Sequence, residues 1–279
     1  MSASAATKVR LRSEEIRPSI GSRVLNDKRE LLSGVLATEI RELLEQRGVL
    51  VFPEVHLTDE EQIEFTKTLG KFQPEPRGGD IFKVTLDATQ GSSAEYLKGS
   101  LYWHLDGTMN DVPILASILS SKKVASWGGN TGFCNTYAAW EQLPDERKQE
   151  LDGLRVMHSV WASVFYYEPE PSVAKLKAMQ AIGERELPLV WKHRSGRKSL
   201  ILGCTAHRVL DVDPVKSAEI LVGLREWATS ERFSYSHAWK VGDMVMWDNT
   251  GTLHRAEQYD LESGRMLHRT KLAGEEPFA

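Results

Sequence analysis

Short strand-like segments, separated by turn-forming residues, recur along this chain from Ile81 to its end. Each segment is rich in β-branched or aromatic residues, and glycine, proline, asparagine or aspartate occupies the intervals. Many short strands with turns between them predict a sandwich or a barrel, and therefore a mainly β fold with flanking helices. The predicted strands are Ile81–Thr85, Ile114–Leu119, Leu154–Trp161, Leu187–Trp191, Ser199–Leu202, Phe233–Trp239, Asp243–Trp247 and Met266–Leu272.

Helical patterns occur at four places. The first has apolar residues at helical spacing and ends at Gly48, after which Val49–Phe52 is predicted as a buried strand. Thr58 begins a Thr-x-x-Glu capping box, which predicts the start of a second helix. Asp213 is placed to cap a later helix whose first residue is a proline. The predicted helices are Arg29–Arg47, a segment from Thr58 to Gly70, Pro144–Leu151 and Pro214–Trp227.

The length of 279 residues is compatible with one large domain or two small ones. No internal repeat or interdomain linker is evident, so we predict a single domain over residues 1–279. Residues 1–7 are small and polar, and we expect them to be disordered. The stretch from Met1 to Arg12 has no apolar core of a signal peptide, and no segment is long and apolar enough to span a bilayer.

Charge and cysteine usage exclude several classes of partner. The formal net charge is −4 and no long basic run occurs, which argues against nucleic acid and anionic membranes as partners. The two cysteines, Cys134 and Cys204, are far apart and form no Cys-x-x-Cys motif. They are expected to be small buried residues, and a reducing cytoplasmic location fits best.

A split set of candidate metal ligands gives the chain its chemistry. His104 and Asp106 are two residues apart, so on an extended segment their side chains point to the same face. A remote histidine, His254, would complete a set of two imidazoles and one carboxylate if the fold brings it close. Such a set with open positions is typical of non-haem Fe(II) oxygenases.

The same ligand types could also hold Zn(II) in a hydrolase. The chain has no His-Glu-x-x-His motif, and no general base for zinc hydrolysis stands out. Arg265 lies eleven residues beyond His254, and Arg269 lies four residues further on. Two arginines favour a site with two anionic organic ligands, which suits iron with a 2-oxo acid.

Other polar residues are interpreted as structural. Trp247 is expected in the core, and Asp248 and Asn249 are expected to be turn residues or supports of the ligands. Five histidines have no ligand partner in the sequence and are interpreted as structural or surface residues: His158, His193, His207, His237 and His268.

Several motifs together resemble the TauD/TfdA family of Fe(II)/2-oxoglutarate-dependent dioxygenases. The motifs occur in the same order as in the family, from about residue 30 to the end. In detail they are most similar to the herbicide-degrading branch. The resembling segments are Gly48–Phe52, Trp103–Asp106, Gly128–Phe133, Leu143–Pro144, Val241–Asn249, Leu253–Arg255 and Arg265–Thr270.

The resemblance implies a double-stranded β-helix (jelly-roll) core and roles for matching residues. His104, Asp106 and His254 would bind Fe(II), and Arg265 and Thr131 would bind the distal carboxylate of 2-oxoglutarate. Hydroxylation of the substrate by O2 would be coupled to decarboxylation of 2-oxoglutarate to succinate and CO2. Family members tend to assemble as dimers or tetramers, so a homo-oligomer is expected.

The family also implies where the substrate binds. Arg269 would lie near its anionic group, and the region of about residues 74–101 would form a lid and part of the pocket. Apolar residues there and nearby predict an organic carboxylate or sulfonate with an apolar body. Ser100 and the Gly-Thr-Met run after Asp106 depart from the family pattern, which argues against taurine and dichlorophenoxyacetate themselves. The candidate pocket residues are Phe82, Lys83, Tyr96, Ser100 and Met109, with Trp161 and Phe165 as further aromatic candidates.

Several alternatives stay open at this point. The chain could be a non-catalytic sensor that binds a metal and 2-oxoglutarate. It could instead be a biosynthetic hydroxylase or desaturase of an amino-acid derivative. Asp106 favours hydroxylation over halogenation, because related halogenases lack this carboxylate. Hydroxylation beside oxygen, nitrogen or sulfur would be followed by cleavage of the product.

Overall fold

The computed structural model describes residues 9–75, 79–85 and 98–279. Within these residues, fifteen strands and eight α-helices follow one another. The strands are β1 (Ser13–Arg17), β2 (Ile20–Val24), β3 (Val49–Phe52), β4 (Phe82–Val84), β5 (Ala116–Lys123), β6 (Thr131–Asn135), β7 (Arg155–Ser159), β8 (Glu184–Pro188), β9 (Val190–Lys192), β10 (Lys198–Leu200), β11 (Ala206–Val209), β12 (Ser234–His237), β13 (Met244–Asp248), β14 (Thr252–Ala256) and β15 (Met266–Leu272). The helices are α1 (Lys28–Leu32), α2 (Ala37–Arg47), α3 (Asp59–Leu69), α4 (Thr136–Glu141), α5 (Asp145–Leu151), α6 (Val160–Tyr167), α7 (Val173–Gln180) and α8 (Pro214–Ala228).

The main sheet has seven strands in the order β1-β2-β3-β13-β5-β15-β4. Its neighbours are antiparallel except for β2 and β3, which are parallel. A second sheet, in the order β12-β6-β14, contributes Phe133 to a core cluster formed otherwise by main-sheet residues such as Leu119 and Leu267. The two sheets therefore pack face to face around a shared core.

The central strands of the main sheet are apolar on both faces. In β3, Val49 and Val51 face the core between the sheets, whereas Leu50 and Phe52 pack against helices α1–α3. Because alternate residues of a strand point to opposite faces, a strand covered on both sides must be apolar throughout. This explains the uninterrupted apolar run that predicted β3, and the same alternation occurs in β13.

The prediction of one continuous helix over Arg29–Arg47 is wrong, because this segment forms two helices, α1 and α2. Gly34 lies between them with φ of +75°, a left-handed conformation that interrupts a helix. The capping box of Thr58 is confirmed, since its hydroxyl accepts a hydrogen bond from the Glu61 amide. Asp213 likewise caps α8.

Most strand predictions in the second half are correct in position but differ at the ends, whereas the predicted strand Leu187–Trp191 is wrong as one element, because it spans the end of β8 and the start of β9 in two different sheets. The segment Leu154–Trp161 is strand only as far as Ser159, and α6 begins at Val160. Strand β6 was not predicted, because its glycine and small residues do not show the usual strand pattern. Among the described residues, no helix has the length and apolar character needed to cross a membrane.

Candidate metal centre

His104 and His254 lie directly opposite each other in an isolated antiparallel bridge. Each backbone amide donates to the other residue's carbonyl oxygen at 3.0 Å, and the ring centroids are 4.1 Å apart. The ring of Trp247, which is buried as expected, packs at 4.6 Å from the His254 ring. Backbone pairing therefore sets the spacing of the two imidazoles, and a core tryptophan supports one of them.

Asp106 is held beside this pair by Asn249. The Asn249 Oδ1 accepts a hydrogen bond from the Asp106 amide at 3.0 Å, and its Nδ2 donates to the Asp106 carbonyl at 2.6 Å. The same Nδ2 also donates to the Ile114 carbonyl. Asn249 is fully buried, so these bonds fix the backbone at the turn that begins after Leu105. This confirms the interpretation of Asn249 as a support of the ligands.

The three side chains converge. His104 Nε2 lies 3.7 Å from Asp106 Oδ1, and His254 Nε2 lies 3.8 Å from Asp106 Oδ2. The candidate ligand atoms all lie within 4.8 Å of one another, and no other such group of three occurs in the described ranges. His104 Nδ1 is 2.8 Å from the Tyr102 carbonyl, so Nδ1 carries a proton and Nε2 is the ring nitrogen that faces the other two side chains. This donor set fits a divalent metal that requires nitrogen and oxygen ligands.

The electrostatics favour the protonation states that a metal requires. Burial acts to raise the pKa of Asp106, but the neighbouring His254, Arg269, His104 and Lys271 outweigh it and lower the pKa to about 2. Burial, assisted by His104, lowers the pKa of His254 to about 3. Asp106 is therefore ionised and His254 neutral near pH 7, as metal ligation demands.

Arg269 approaches the triad from β15. Its Nη1 lies 3.7 Å from Asp106 Oδ2, and its guanidinium lies 4.7 Å from the centroid of the Phe82 ring. Its Nη2 makes one long hydrogen bond of 3.4 Å to Glu75, and its Nε is buried without a hydrogen-bond partner among the described residues. Most of the donor capacity of this guanidinium is thus unused.

Arg265 is buried directly before the first residue of β15, four residues from Arg269. Its Nε and Nη2 both donate to the Gly129 carbonyl, at 3.1 and 2.9 Å, and the guanidinium lies 4.9 Å from the Tyr259 ring centroid. Burial lowers the pKa of Arg265 below its usual value. Two residues after Gly129, the Thr131 hydroxyl accepts a bond from Trp239 Nε1 at 2.9 Å, which leaves its own proton to donate.

A charged pair that the sequence analysis missed adjoins Arg269. Lys271 Nζ lies 3.0 Å from Glu75 Oε1, and both side chains are nearly buried. Lys271 is two residues beyond Arg269 on β15, so the strand period could have indicated that they share a face. Nothing in the sequence indicates Glu75, because its contact depends on the path of the chain before β4.

The candidate pocket residues lie in different places, and only some of them are near Arg269. Phe82 lies against Arg269, whereas Lys83 is exposed and alternates to the other face of β4. Ser100 lies in the 3-10 helix Lys98–Leu101 and Met109 in the turn after Asp106, and both are partly buried. Tyr96 and the other residues of 86–97, residues 76–78 of the predicted lid, and residues 1–8 lie outside the described residues. Trp161 and Phe165 are on α6, where Trp161 Nε1 donates to Glu184.

The remaining histidines make structural contacts away from the triad. Their partners support the interpretation that they are not part of this ligand group. Four of them lie within hydrogen-bond distance of a polar side chain: His158 of Thr205, His193 of Glu276 and Ser199, His237 of Asp243, and His268 of Asp59. The ring of His207 packs against the ring of Trp161. Cys134 and Cys204 are free and buried, as expected.

Comparison with known proteins gives consistent matches over most of the chain. A family model described as taurine catabolism dioxygenase TauD, TfdA family matches residues 12–271. The alpha-ketoglutarate-dependent 2,4-dichlorophenoxyacetate dioxygenase of Cupriavidus pinatubonensis is 34% identical over 87% of this chain and 90% of that protein. The alpha-ketoglutarate-dependent sulfate ester dioxygenase of Pseudomonas putida is 30% identical over 88% of this chain and 83% of that protein. The crystal structure of AAD-2 in complex with Mn(II) and N-oxalylglycine has a TM-score of 0.82 and 29% identity, covering 96% of this chain and 99% of that one.

Proposed function

The chain belongs to the TauD/TfdA family of Fe(II)/2-oxoglutarate-dependent dioxygenases, and we propose that it hydroxylates a small organic acid with an apolar body. Family membership confirms the predicted double-stranded β-helix core, the enzyme class, and the dependence on 2-oxoglutarate and a metal. The zinc-hydrolase and sensor alternatives are therefore set aside. Assembly as a homo-oligomer and a cytoplasmic location stay predictions.

In this proposal, His104, Asp106 and His254 would hold Fe(II). The bound iron supplies O2 activation coupled to decarboxylation of 2-oxoglutarate. The chain itself supplies two imidazoles, an ionised carboxylate and a backbone bridge that fixes the spacing of the two imidazoles. Asn249 prevents Asp106 from turning away from the ion, because it binds both sides of the Asp106 backbone.

Arg265 and Thr131 bind the distal carboxylate of 2-oxoglutarate. A buried guanidinium without a counter-charge is costly, and among the described residues no carboxylate lies within 4.0 Å of Arg265. A bound carboxylate would supply that charge, and the planar guanidinium suits it geometrically. Thr131 lies two residues after Gly129, which binds Arg265, and its hydroxyl has a proton to donate.

The unsatisfied donors of Arg269 are the observation that carries the substrate assignment. Its Nε is buried with no partner in the part of the chain that the structure describes, and its guanidinium lies close to both Asp106 and the Phe82 ring. A carboxylate or sulfonate accepted there would place the attached apolar body beside the aromatic ring and near the triad. The two relatives act on a carboxylate and on sulfate esters, which are anionic in the same way.

Hydroxylation of the carbon beside an ether or ester oxygen would have a further consequence. The product would be a hemiacetal-type adduct, which collapses to a carbonyl compound and the released alcohol, phenol or acid anion. Net cleavage would then follow without any additional catalytic group. The stoichiometry would remain one O2 consumed and one succinate released per substrate.

The test is aerobic release of succinate over a panel of aryloxy acids, fatty acids, alkyl sulfonates and alkyl sulfates. For an accepted acid, we expect Arg269→Met to raise the KM by roughly tenfold to a hundredfold, because a charge-assisted hydrogen-bond pair is lost. The KM for 2-oxoglutarate should change by less than about threefold, since Arg265 is intact. Arg29→Met, at an exposed position of α1, is the matched control. An unchanged KM in Arg269→Met, or equal turnover of the corresponding neutral amides, would contradict the proposal.

A further inference from the structure

The anion site at Arg269 includes a buried carboxylate and a second cation. Lys271 Nζ and Arg269 Nη2 approach the same oxygen, Glu75 Oε1, at 3.0 and 3.4 Å. The exposed fraction of the side chain is 8% for Lys271, 10% for Glu75 and 18% for Arg269. Opposite charges this close and this well shielded from water interact strongly, so the charge state of each one affects the others.

The net charge of this site can be balanced by one anionic group. Two cations and one carboxylate have a net charge of +1, and Asp106 does not enter this balance because it serves the metal. Lys271 is the nearer partner of Glu75, which keeps Arg269 from being neutralised by that carboxylate. For Arg265, which lies directly before β15, no described carboxylate is within ion-pair distance.

We propose that Glu75 and Lys271 are specificity-determining residues that restrict the substrate pocket to monoanions. A substrate with one carboxylate, sulfonate or sulfate ester group binds Arg269 and balances the site. Among the described residues no third cation contacts Glu75, so a second negative charge would meet this carboxylate, and like-charge contact in a shielded site is unfavourable. This inference rests on the proposed function, since it describes the same pocket.

The arrangement also separates the two organic acids that the enzyme must distinguish. 2-Oxoglutarate is a dianion, and both arginines could in principle bind one of its carboxylates. Glu75 opposes a dianion beside Arg269, whereas the described surroundings of Arg265 contain no such carboxylate. Specificity of this kind depends on a repulsive element as much as on an attractive one. The cosubstrate is thereby directed to Arg265 and away from the substrate pocket.

Anaerobic titration calorimetry of the Fe(II)- and 2-oxoglutarate-loaded enzyme tests the inference. The probes are phenoxyacetate, hexanoate and hexyl sulfate, with 4-(carboxymethoxy)benzoate and hexanedioate as dianionic counterparts of the first two. The proteins are the wild type, Glu75→Gln, Lys271→Gln, the double variant, and Glu64→Gln. The last removes a carboxylate from an exposed position of α3 and is the matched charge control.

The wild type should bind a monoanion at least about tenfold more tightly than its dianionic counterpart. Lys271→Gln should weaken the monoanion by about tenfold or more, because Glu75 then neutralises Arg269. Adding Glu75→Gln to Lys271→Gln should restore the Kd of the monoanion to within about threefold of the wild-type value. A merely structural role of the two residues would not produce this rescue. Glu75→Gln alone should reduce the preference for the monoanion by about tenfold, and Glu64→Gln should leave it unchanged.

Two kinds of failure are distinguishable. If the wild type binds a monoanion but the double variant shows no rescue, or Glu75→Gln keeps the wild-type preference, the inference is overturned and the proposed function stands. An equal shift in Glu64→Gln would also overturn it, because overall charge would then be responsible. If the loaded wild type binds none of the acids, the proposed function fails, and the inference fails with it. The double variant removes both members of the Glu75–Lys271 ion pair, so neither is left buried without its partner, and it remains informative if a single variant folds poorly.

Discussion

Asn249 binds the backbone of Asp106 from both sides, accepting from its amide at 3.0 Å and donating to its carbonyl at 2.6 Å. The two residues are 143 positions apart in the chain. Asn249 follows directly after β13, so this pair connects the turn that bears the carboxylate ligand to the centre of the main sheet. The position of the ligand is therefore determined by the sheet.

We expect Asn249→Ala to weaken binding of Fe(II) or Mn(II) by roughly tenfold to a hundredfold, the usual cost of removing a group that orients a ligand. The Asp106 amide and carbonyl would lose their buried partner, so the melting temperature should also fall. Metal titration followed by calorimetry measures the first effect. A variant that folds normally and keeps the wild-type metal Kd would show that Asn249 does not orient the ligand.

Gly129→Ala should selectively weaken binding of 2-oxoglutarate. A Cβ at this position would lie 3.0 Å from Arg265 Nε and 3.1 Å from its Cδ, so the guanidinium would have to move. We expect the Kd of 2-oxoglutarate to rise by about tenfold or more while the metal Kd changes little. Gly153→Ala is the matched control, because Gly153 also has a positive φ but no atom within 4 Å of the point that a Cβ would occupy. Equal effects of the two substitutions would mean that backbone strain alone is responsible.

Gly203→Ala should weaken binding of the metal instead. Its Cβ would lie 2.9 Å from the Trp103 carbonyl oxygen and 3.0 Å from the His104 Cα, both of which are backbone atoms that cannot rotate away. Displacement of His104 should lower the metal affinity by about tenfold or more. Gly183→Ala, at a positive-φ position with open space, provides the comparison. Metal affinity that is preserved in Gly203→Ala would contradict this account of the packing behind His104.

The metal-free protein should lose stability as the pH falls below about 6.5. Burial, with a contribution from His207, lowers the pKa of His158 to about 3, so the unfolded chain takes up a proton there that the folded protein does not. A histidine whose pKa is lowered in the folded protein in this way reduces the free energy of unfolding by about 2 kcal/mol as the pH falls from 7 to 5. Urea unfolding at a series of pH values should show a smaller decline in His158→Gln than in the wild type. The exposed His56→Gln should decline as the wild type does, and a decline that is equal in all three proteins would contradict the assignment.

Much of the candidate site was predictable because its residues lie within short sequence motifs. The two-residue spacing of His104 and Asp106 and the four-residue spacing of Arg265 and Arg269 both follow strand geometry, which acts over a few residues. Strand β3 was predictable from its apolar run, and α3 from its capping box, for the same reason. The helix over Arg29–Arg47 was wrong because one glycine conformation, at Gly34, outweighed a regular apolar pattern.

The sequence by itself determined which residues could bind a metal and two organic acids, since these roles depend on side-chain chemistry and local spacing. Only the tertiary structure decided how they are combined. The pairing of His104 with His254, the support of Asp106 by Asn249 and the contact of Glu75 with Lys271 each join residues more than 140 positions apart. Such contacts depend on the path of the chain through two packed sheets, and the free energy that fixes this path comes from burial of the whole core.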